Sequence, residues 1–305
     1  MDMEWECLVI GGGAAGSSAA LVLGRARKRT LVIDAGRQSN RAAHGIGGLL
    51  GHDGRPPAEL YELGRKELEQ YPSVEVRSGE VRIAKRCGTG FQVELADGTR
   101  ERVKRVLLAM GMDYRPPELP GLEEIWGTSV FHCPFCHGWE VRDQPLAVLA
   151  EGERAVHMAT LMRGWSDDVV LLTGGSGGLD AEHRAGLSGA GVTVDDRQVA
   201  GLASERGELT AVVFADGSRL PRRGLLVSTT LHQRTDLAAQ LGVKFAAAGP
   251  VSVDAIEVDA MSRTSVPGVF AAGDVCAQMP QVAAAVSAGS LAAVSVVQSL
   301  MEEAR

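Results

Sequence analysis

Hydrophobic positions along the chain fall into short runs separated by glycine-rich or polar turns. Glu6-Cys7-Leu8-Val9-Ile10 is one such run and predicts a strand buried on both faces, as in a parallel sheet. A glycine-rich turn and a helix of small residues to about Arg27 follow, and then a second run, Thr30-Leu31-Val32-Ile33. Further on, two segments echo each other. Phe91 to Arg100 leads to Leu107-Leu108-Ala109, and Ala211 to Arg219 leads to Leu225-Leu226-Val227. Each reads as an alternating strand, an Asp-Gly turn, a second strand and then an apolar strand. Each lies downstream of a βαβ-like start, Glu6 to Ile33 in one case and Pro145 to Leu172 in the other. Such repetition predicts two copies of one nucleotide-binding fold. The expected fold class is α/β, with two Rossmann-like three-layer domains, the second inserted in the first. The expected bounds are 1–115 with 241–305 for the outer domain and 116–240 for the inserted one. Arg115-Pro116-Pro117-Glu118-Leu119-Pro120-Gly121 reads as the outward linker, and the return between Leu231 and Asp236 is less sharply marked.

Composition narrows the function classes. A chain of 305 residues, 45% hydrophobic and with 38 glycines, suits a globular protein of about two domains. Its net charge of −7, without a basic cluster, argues against nucleic acid as a partner. No apolar run is expected to reach membrane-spanning length. The apolar stretch Cys7 to Gly24 could pass for a signal peptide, but Asp2, Glu4 and Glu6 ahead of it are acidic where a signal peptide is basic. A cytoplasmic location is expected. Of five cysteines, Cys7, Cys87 and Cys276 stand alone and read as buried small hydrophobes. Cys133 and Cys136 form a Cys-x-x-Cys pair, which can close a small disulfide and open it by thiolate attack.

The turn after the first strand is Gly11-Gly12-Gly13-Ala14-Ala15-Gly16. This is G-x-G-x-x-G between a strand and a helix N-terminus, where backbone N–H groups and the helix dipole meet a pyrophosphate. Asp34 ends the next strand at the distance from which an acid accepts a hydrogen bond from a ribose hydroxyl. The candidate cofactor residues here are Gly11, Gly13, Ala14, Ala15, Gly16 and Asp34. No metal is expected, because zinc wants four ligands and no second Cys-x-x-Cys exists. A thioredoxin-like fold would place the pair after the first strand of a much smaller domain.

Taken together, the Gly11 motif, Trp126-Gly127 before the pair, Cys133-x-x-Cys136, and Ala272-Gly273-Asp274 resemble the low-molecular-weight thioredoxin reductase family over nearly the whole chain. The resemblance implies FAD as cofactor, with Gly273 and Asp274 at the ribityl chain, Gln281 near the flavin ring at the start of the last helix, and Gly111 allowing close backbone approach. It also implies a homodimer. Three departures bear on NADPH. The strand Leu146 to Ala150 runs into Glu151-Gly152-Glu153-Arg154, where charge and Cβ bulk oppose a pyrophosphate. The loop Thr173-Gly174-Gly175-Ser176-Gly177-Gly178-Leu179-Asp180 holds no arginine for a 2′-phosphate. The second copy ends Ser228-Thr229-Thr230, whereas the first ends Ala109-Met110-Gly111. The NADPH site is therefore expected to be lost or weakened, with Arg154 and Arg163 the nearby cations that could still hold it.

Without a hydride donor, an external dithiol becomes the source of electrons. The pair followed by His137-Gly138 is similar to the flavin-dependent dithiol oxidases of natural-product pathways, which close disulfides in compounds such as holomycin and gliotoxin. That similarity implies a small-molecule dithiol substrate, oxidised through Cys133 and Cys136 to FAD and then to O2, with hydrogen peroxide as product. Cys133 would be the sulfur attacked by substrate and Cys136 the flavin-facing leaving group. A place at a helix N-terminus would lower the leaving thiol's pKa. His137 is the adjacent candidate base, and His132 the second. Trp126 and Trp139 flank the pair, as pocket or as core. Two other readings stay open: an NADPH-dependent reductase of a thioredoxin-like protein, and a flavin redox sensor without turnover.

Overall fold

The computed structural model describes residues 5–175, 178–277 and 279–303. The chain divides into two compact units, Met1–Arg41 with Leu49–Tyr114 and Leu231–Arg305, and Ala42–Gly48 with Arg115–Thr230. The first unit opens with β1 (Trp5–Ile10), α1 (Ala14–Arg25) and β2 (Thr30–Asp34). It continues through α2 (Pro57–Leu68), β3 (Val74–Ser78), β4 (Val81–Cys87), β5 (Gly90–Leu95), β6 (Arg100–Leu108) and β7 (Met112–Arg115). The second unit holds β8 (Val130–Phe131), α3 (Pro134–His137), β9 (Leu146–Leu149), α4 (Gly152–Met162), β10 (Val169–Leu172) and α5 (Ala181–Gly189). After these come β11 (Val192–Asp195), β12 (Val199–Glu205), β13 (Glu208–Phe214), β14 (Arg219–Pro221) and β15 (Gly224–Val227). The return leg carries β16 (Thr230–Gln233), α6 (Leu237–Gln240), β17 (Val269–Ala271) and α7 (Val282–Glu303).

In the first unit the strands run β3-β2-β1-β6-β5-β4, with β17 on β6, and β7 pairs separately with β16. β1 pairs in parallel with both β2 and β6, so Cys7 to Ile10 are buried on both sides, as their continuous apolar run requires. The second unit has an all-parallel sheet ordered β11-β10-β9-β15-β8 and an antiparallel sheet β12-β13-β14. The two copies of the repeat differ in one respect. In the first, β6 is a single strand that pairs with β5 from Arg100 to Val103 and with β1 from Val103 to Leu108. In the second, Pro221 ends β14 and the buried Arg222 turns its guanidinium to Asp168 at 3.2 Å, so β15 starts afresh in the parallel sheet. The chain re-enters the first unit at Leu231, because Leu231, Leu237, Ala238 and Leu241 pack into the core around Leu8, Leu31 and Val106.

α7 runs from Val282 to Glu303. By length and composition it could cross a membrane, which corrects the expectation that no run is long enough. In the fold it is a packed helix, burying Ala285, Gly289, Ala292, Ala293, Val296 and Leu300 in the cluster that holds Ala15, Ala19 and Leu23 of α1. Small side chains set this contact: a Cβ on Gly289 would lie 2.0 Å from the Ala15 carbonyl oxygen. Of the lone cysteines, Cys7 is buried and its pKa is driven up by desolvation. Cys276 is pushed up to about 12 by burial and by Asp274. Cys87 and Cys276 depart from the expected burial, both being partly exposed, and the Cys87 sulfur lies 3.0 Å from an Arg102 guanidinium nitrogen.

Candidate active site

The glycine-rich turn follows the C-terminal end of β1, in the parallel part of the first unit's mixed sheet. Gly11 has φ +105°, and a Cβ there would sit 2.3 Å from the Ala109 carbonyl oxygen, so glycine is required for the turn to pass β6. Gly16 is equally constrained, since its Cβ would meet the Gly11 carbonyl oxygen at 1.8 Å. Gly13 differs: it caps α1 with an extended backbone and has room for a Cβ, so only an approaching ligand needs it bare. Ala14 and Ala15 form the first turn of α1, whose free N–H groups face the same end of β1. Gly111 has φ +68° and open space before it. Asp34 ends β2 and is held by the Gly36 backbone N–H at 3.1 Å and by the Gln38 amide. A cavity of about 390 Å³ opens beside it, lined by Asp34, Gly36, Arg37, Arg41 and Ser78 among others.

Past β17, Gly273 adopts φ +81°, and Asp274 opens a single 3₁₀ turn. The Tyr114 hydroxyl donates to Asp274 Oδ2 at 2.9 Å. Burial raises the Asp274 pKa, and Tyr114 and Arg234 oppose that rise. Arg234 also donates from Nε to the Met112 carbonyl oxygen at 2.8 Å. The second carboxylate oxygen of Asp274 can take a polyol hydroxyl. Gln281 stands at the N-terminus of α7, its carbonyl accepting from the Ala285 N–H at 2.9 Å. Bare glycines, an acid at the end of β2 with a cavity beside it, and a second acid past β17 fit an extended dinucleotide such as FAD. Tyr114 and Arg234 were not legible in the sequence, since neither belongs to a motif.

In the second unit Cys133 and Cys136 are joined by a disulfide, with Cα atoms 5.4 Å apart. Cys133 is the N-cap of α3, which is one turn long, so the helix dipole expected to act on the thiols is correspondingly small. The segment 42–48 covers the pair's backbone: a Cβ on Gly47 would lie 2.7 Å from the Cys136 carbonyl oxygen, and Ile46 is buried. His137 stacks on Phe131, and its Nε2 is 3.1 Å from the Gly127 carbonyl oxygen. A carbonyl only accepts, so Nε2 carries the proton, and Nδ1 is the unprotonated nitrogen, buried away from solvent. Burial lowers the His137 pKa, while Glu140 and the Gly127 and Cys133 carbonyls partly restore it. His132 stacks on Trp126 and is pushed down to about 4 by burial, then by His137 and Arg154. Both shifts are downward, so both rings are neutral at neutral pH.

Low pH therefore works against the fold. Unfolded, His132 titrates near 6.5, so the unfolded chain binds a proton that the native state refuses between about pH 6.5 and its own pKa of about 4. Stability is lost as pH falls through that window, by about 2 kcal/mol at pH 5, and this group contributes no pH dependence above 7. Denaturant unfolding of the holoprotein at pH 7.5 and 5 is expected to show that drop, and His132→Phe to shrink it. A wild-type midpoint independent of pH would contradict it.

The position equivalent to a second dinucleotide cradle is occupied differently. Glu151 is the N-cap of α4, and Glu153 lies in its first turn. Arg154 donates to the Thr229 carbonyl oxygen at 3.1 Å, and Arg163 to the carbonyls of Ala190 and Ser166 and to Asp167. Thr173 and Arg184 both bond the Asp196 carboxylate at the ends of β10 and β11. Ser176 and Gly177 of the intervening loop lie outside the described residues.

A dinucleotide cradle in one unit and a redox disulfide in another define a flavoprotein disulfide oxidoreductase. The family model for pyridine nucleotide-disulphide oxidoreductases matches residues 5–289. The chain is 31% identical over 297 residues to thioredoxin reductase tcpT of Claviceps purpurea, covering 94% of this chain and 91% of that protein. Among solved structures it is similar to an oxidoreductase from Agrobacterium tumefaciens, with a TM-score of 0.93, 37% identity and coverage of 98% and 99% of the two chains. It is also similar to HlmI, with a TM-score of 0.92, 38% identity and coverage of 98% and 93%. The chain belongs to the pyridine nucleotide-disulphide oxidoreductase family, on its thioredoxin reductase-like branch, and binds FAD.

Proposed function

We propose that this flavoprotein is a dithiol oxidase that closes an intramolecular disulfide in a small molecule, with O2 as terminal acceptor. The observation that carries this reading is the state of the second cradle. Glu151 and Glu153 stand where a pyrophosphate would bind, and Arg154 and Arg163 are tied to backbone carbonyls. The likeness to HlmI, a protein of holomycin biosynthesis, is in keeping with a small-molecule substrate.

One substrate thiolate attacks the Cys133 sulfur, the Cys133–Cys136 bond breaks, and Cys136 leaves as a thiolate. The second substrate thiol passes its proton to the His137 imidazole, whose buried Nδ1 must first be uncovered, and its sulfur then attacks the substrate sulfur of the mixed disulfide and expels Cys133. The substrate has lost two electrons and two protons and gained its S–S bond, and the cysteine pair is reduced. Bound FAD supplies the two-electron acceptor that restores the cysteine disulfide, and the route from there to O2, which leaves as hydrogen peroxide. The cytoplasmic location and homodimer implied by resemblance belong to the same proposal.

His137→Ala is expected to slow dithiol oxidation on the order of 10²-fold near pH 7, with relief as pH rises and the thiol ionises unaided. An unchanged pH–rate profile would remove His137 from the reaction.

The name carried by the Claviceps relative favours a second reading, an NADPH-dependent reductase of a thioredoxin-like protein. Anaerobic mixing of the yellow protein with NADPH or with dithiothreitol separates the two. Bleaching by the dithiol and not by NADPH, with peroxide released on re-aeration, is the expected result. Rapid bleaching by micromolar NADPH selects the reductase, and slow reduction by every donor selects a redox sensor without turnover.

A further inference from the structure

We infer that Phe135, Trp139 and Trp165 form the recognition platform for the redox disulfide, and that the dithiol it takes is carried on a flat aromatic or heteroaromatic ring. This rests on the reading that the electron donor is a small dithiol. Among the described phenylalanine, tyrosine and tryptophan side chains only three are exposed, Phe135 at 56%, Trp139 at 66% and Phe245 at 39%. Two of the three lie within three residues of a redox cysteine, and Phe135 sits between the two cysteines in the chain.

The placement has a local cause. Helical backbone continues past α3 through Gly138, at φ −64° and ψ −30°, with the Gly138 N–H donating to the Pro134 carbonyl oxygen at 2.7 Å. Phe135 and Trp139 are four residues apart on that turn and so emerge on one side. Trp165 meets Phe135 edge to face, with centroids 5.5 Å apart and ring planes at 80°. Gly138 makes the approach of Trp165 possible, since a Cβ there would lie 2.8 Å from the indole nitrogen. The Arg142 guanidinium lies 3.8 Å from the Trp139 ring centroid and donates to the Trp139 carbonyl oxygen at 2.6 Å. It covers one face of the indole, and the residue as a whole stays 66% exposed.

Size decides between occupants. The exposed parts of Phe135 and Trp139 together offer about 250 Å² of apolar surface. A stable protein partner buries about 800 Å² on each side. The patch is therefore right for one ring system and small for a protein. Whatever covers it must also present sulfur to Cys133, the neighbour of this surface in sequence and the N-cap of the same turn. A rigid ring bearing two thiols meets both demands, because stacking fixes the ring while its substituents reach past it.

The test compares an aromatic dithiol, 1,2-benzenedimethanethiol, with the aliphatic dithiothreitol, reading peroxide release. The wild type is expected to favour the aromatic dithiol in kcat/KM. Trp139→Ala and Phe135→Leu are each expected to cut that preference about tenfold, chiefly through KM, and Trp139→Phe to keep most of it. Preferences unmoved by both variants overturn the inference. So does a reduced thioredoxin-fold protein oxidised faster than either small dithiol, with the same variants impairing it, since the platform would then seat a protein. Binding is read separately from turnover with a redox-inert analogue, 1,2-bis(methylthiomethyl)benzene. It is expected to quench tryptophan fluorescence in the wild type and not in Trp139→Ala. If the analogue binds in this way while neither dithiol is oxidised, the platform stands and the oxidase reading fails. If both dithiols are oxidised without such quenching, the platform fails and the oxidase reading stands.

Discussion

Cys136→Ser is expected to yield a folded yellow protein whose dithiol oxidation is reduced at least ~10³-fold. An alkoxide is a far poorer leaving group than a thiolate, and without the S–S bond there is nothing for a substrate thiolate to break. Cys133→Ser is expected to lose turnover as completely, because either substitution removes the only disulfide among the described residues. Neither change touches the cradle of Gly11, Asp34 and Asp274, so the FAD content on purification should match the wild type. Oxygen uptake with dithiothreitol measures the loss, and the visible spectrum measures the retained cofactor. A serine variant that keeps a tenth of the activity would mean that the thiols react with oxygen by a route that bypasses the pair.

The largest effect on stability is expected from Gly289→Val in α7. A Cβ at this position would lie 2.0 Å from the Ala15 carbonyl oxygen and 2.8 Å from its carbon, both backbone atoms that cannot rotate away. α1 and α7 must then separate, which exposes part of the cluster around Ala19, Leu23, Ala292 and Val296. Overpacking of this kind costs about 3 kcal/mol or more. Ala15 lies in the first turn of α1, so the helix end that faces the cofactor moves with it. The expected outcome is a melting midpoint lower by about 10 °C and a protein that loses FAD on gel filtration. Gly186→Ala, within α5, is the contrasting case. Nothing lies within 4 Å of its Cβ, and the substitution is expected to leave the midpoint unchanged or raise it slightly. Equal effects at the two glycines would show that the α1–α7 contact is not tight.

The parts of this fold that could be read from the sequence are those whose chemistry is local. The β1 run, the Gly11 turn and Asp34 follow one another within thirty-odd residues, and each has a backbone reason to be what it is. Ala272-Gly273-Asp274 and the cysteine pair are equally compact signals. What stayed hidden depends on segments far apart in the chain meeting in space. Tyr114 reaches Asp274 across 160 positions, and Arg154 reaches Thr229 across 75, so no spacing rule points to either. The buried face of α7 is built from small residues, Ala285, Gly289, Ala292 and Ala293, whose weak hydropathy makes the stripe hard to see in the sequence. The one-turn length of α3 was equally invisible, since Pro134 announces a helix start and nothing in the following residues announces its end.

The seven residues 42–48 carry a consequence for protein engineering. They sit in sequence between two legs of the first unit and yet belong to the second, with Gly47 against the backbone of Cys136 and Ala42 against Gly127. A gene fragment spanning only 115–230 would lack this strap. Transplanting the disulfide-bearing half onto another flavoprotein therefore calls for four crossover points instead of two, and a recombination library cut at two junctions would leave the cysteines without part of their scaffold.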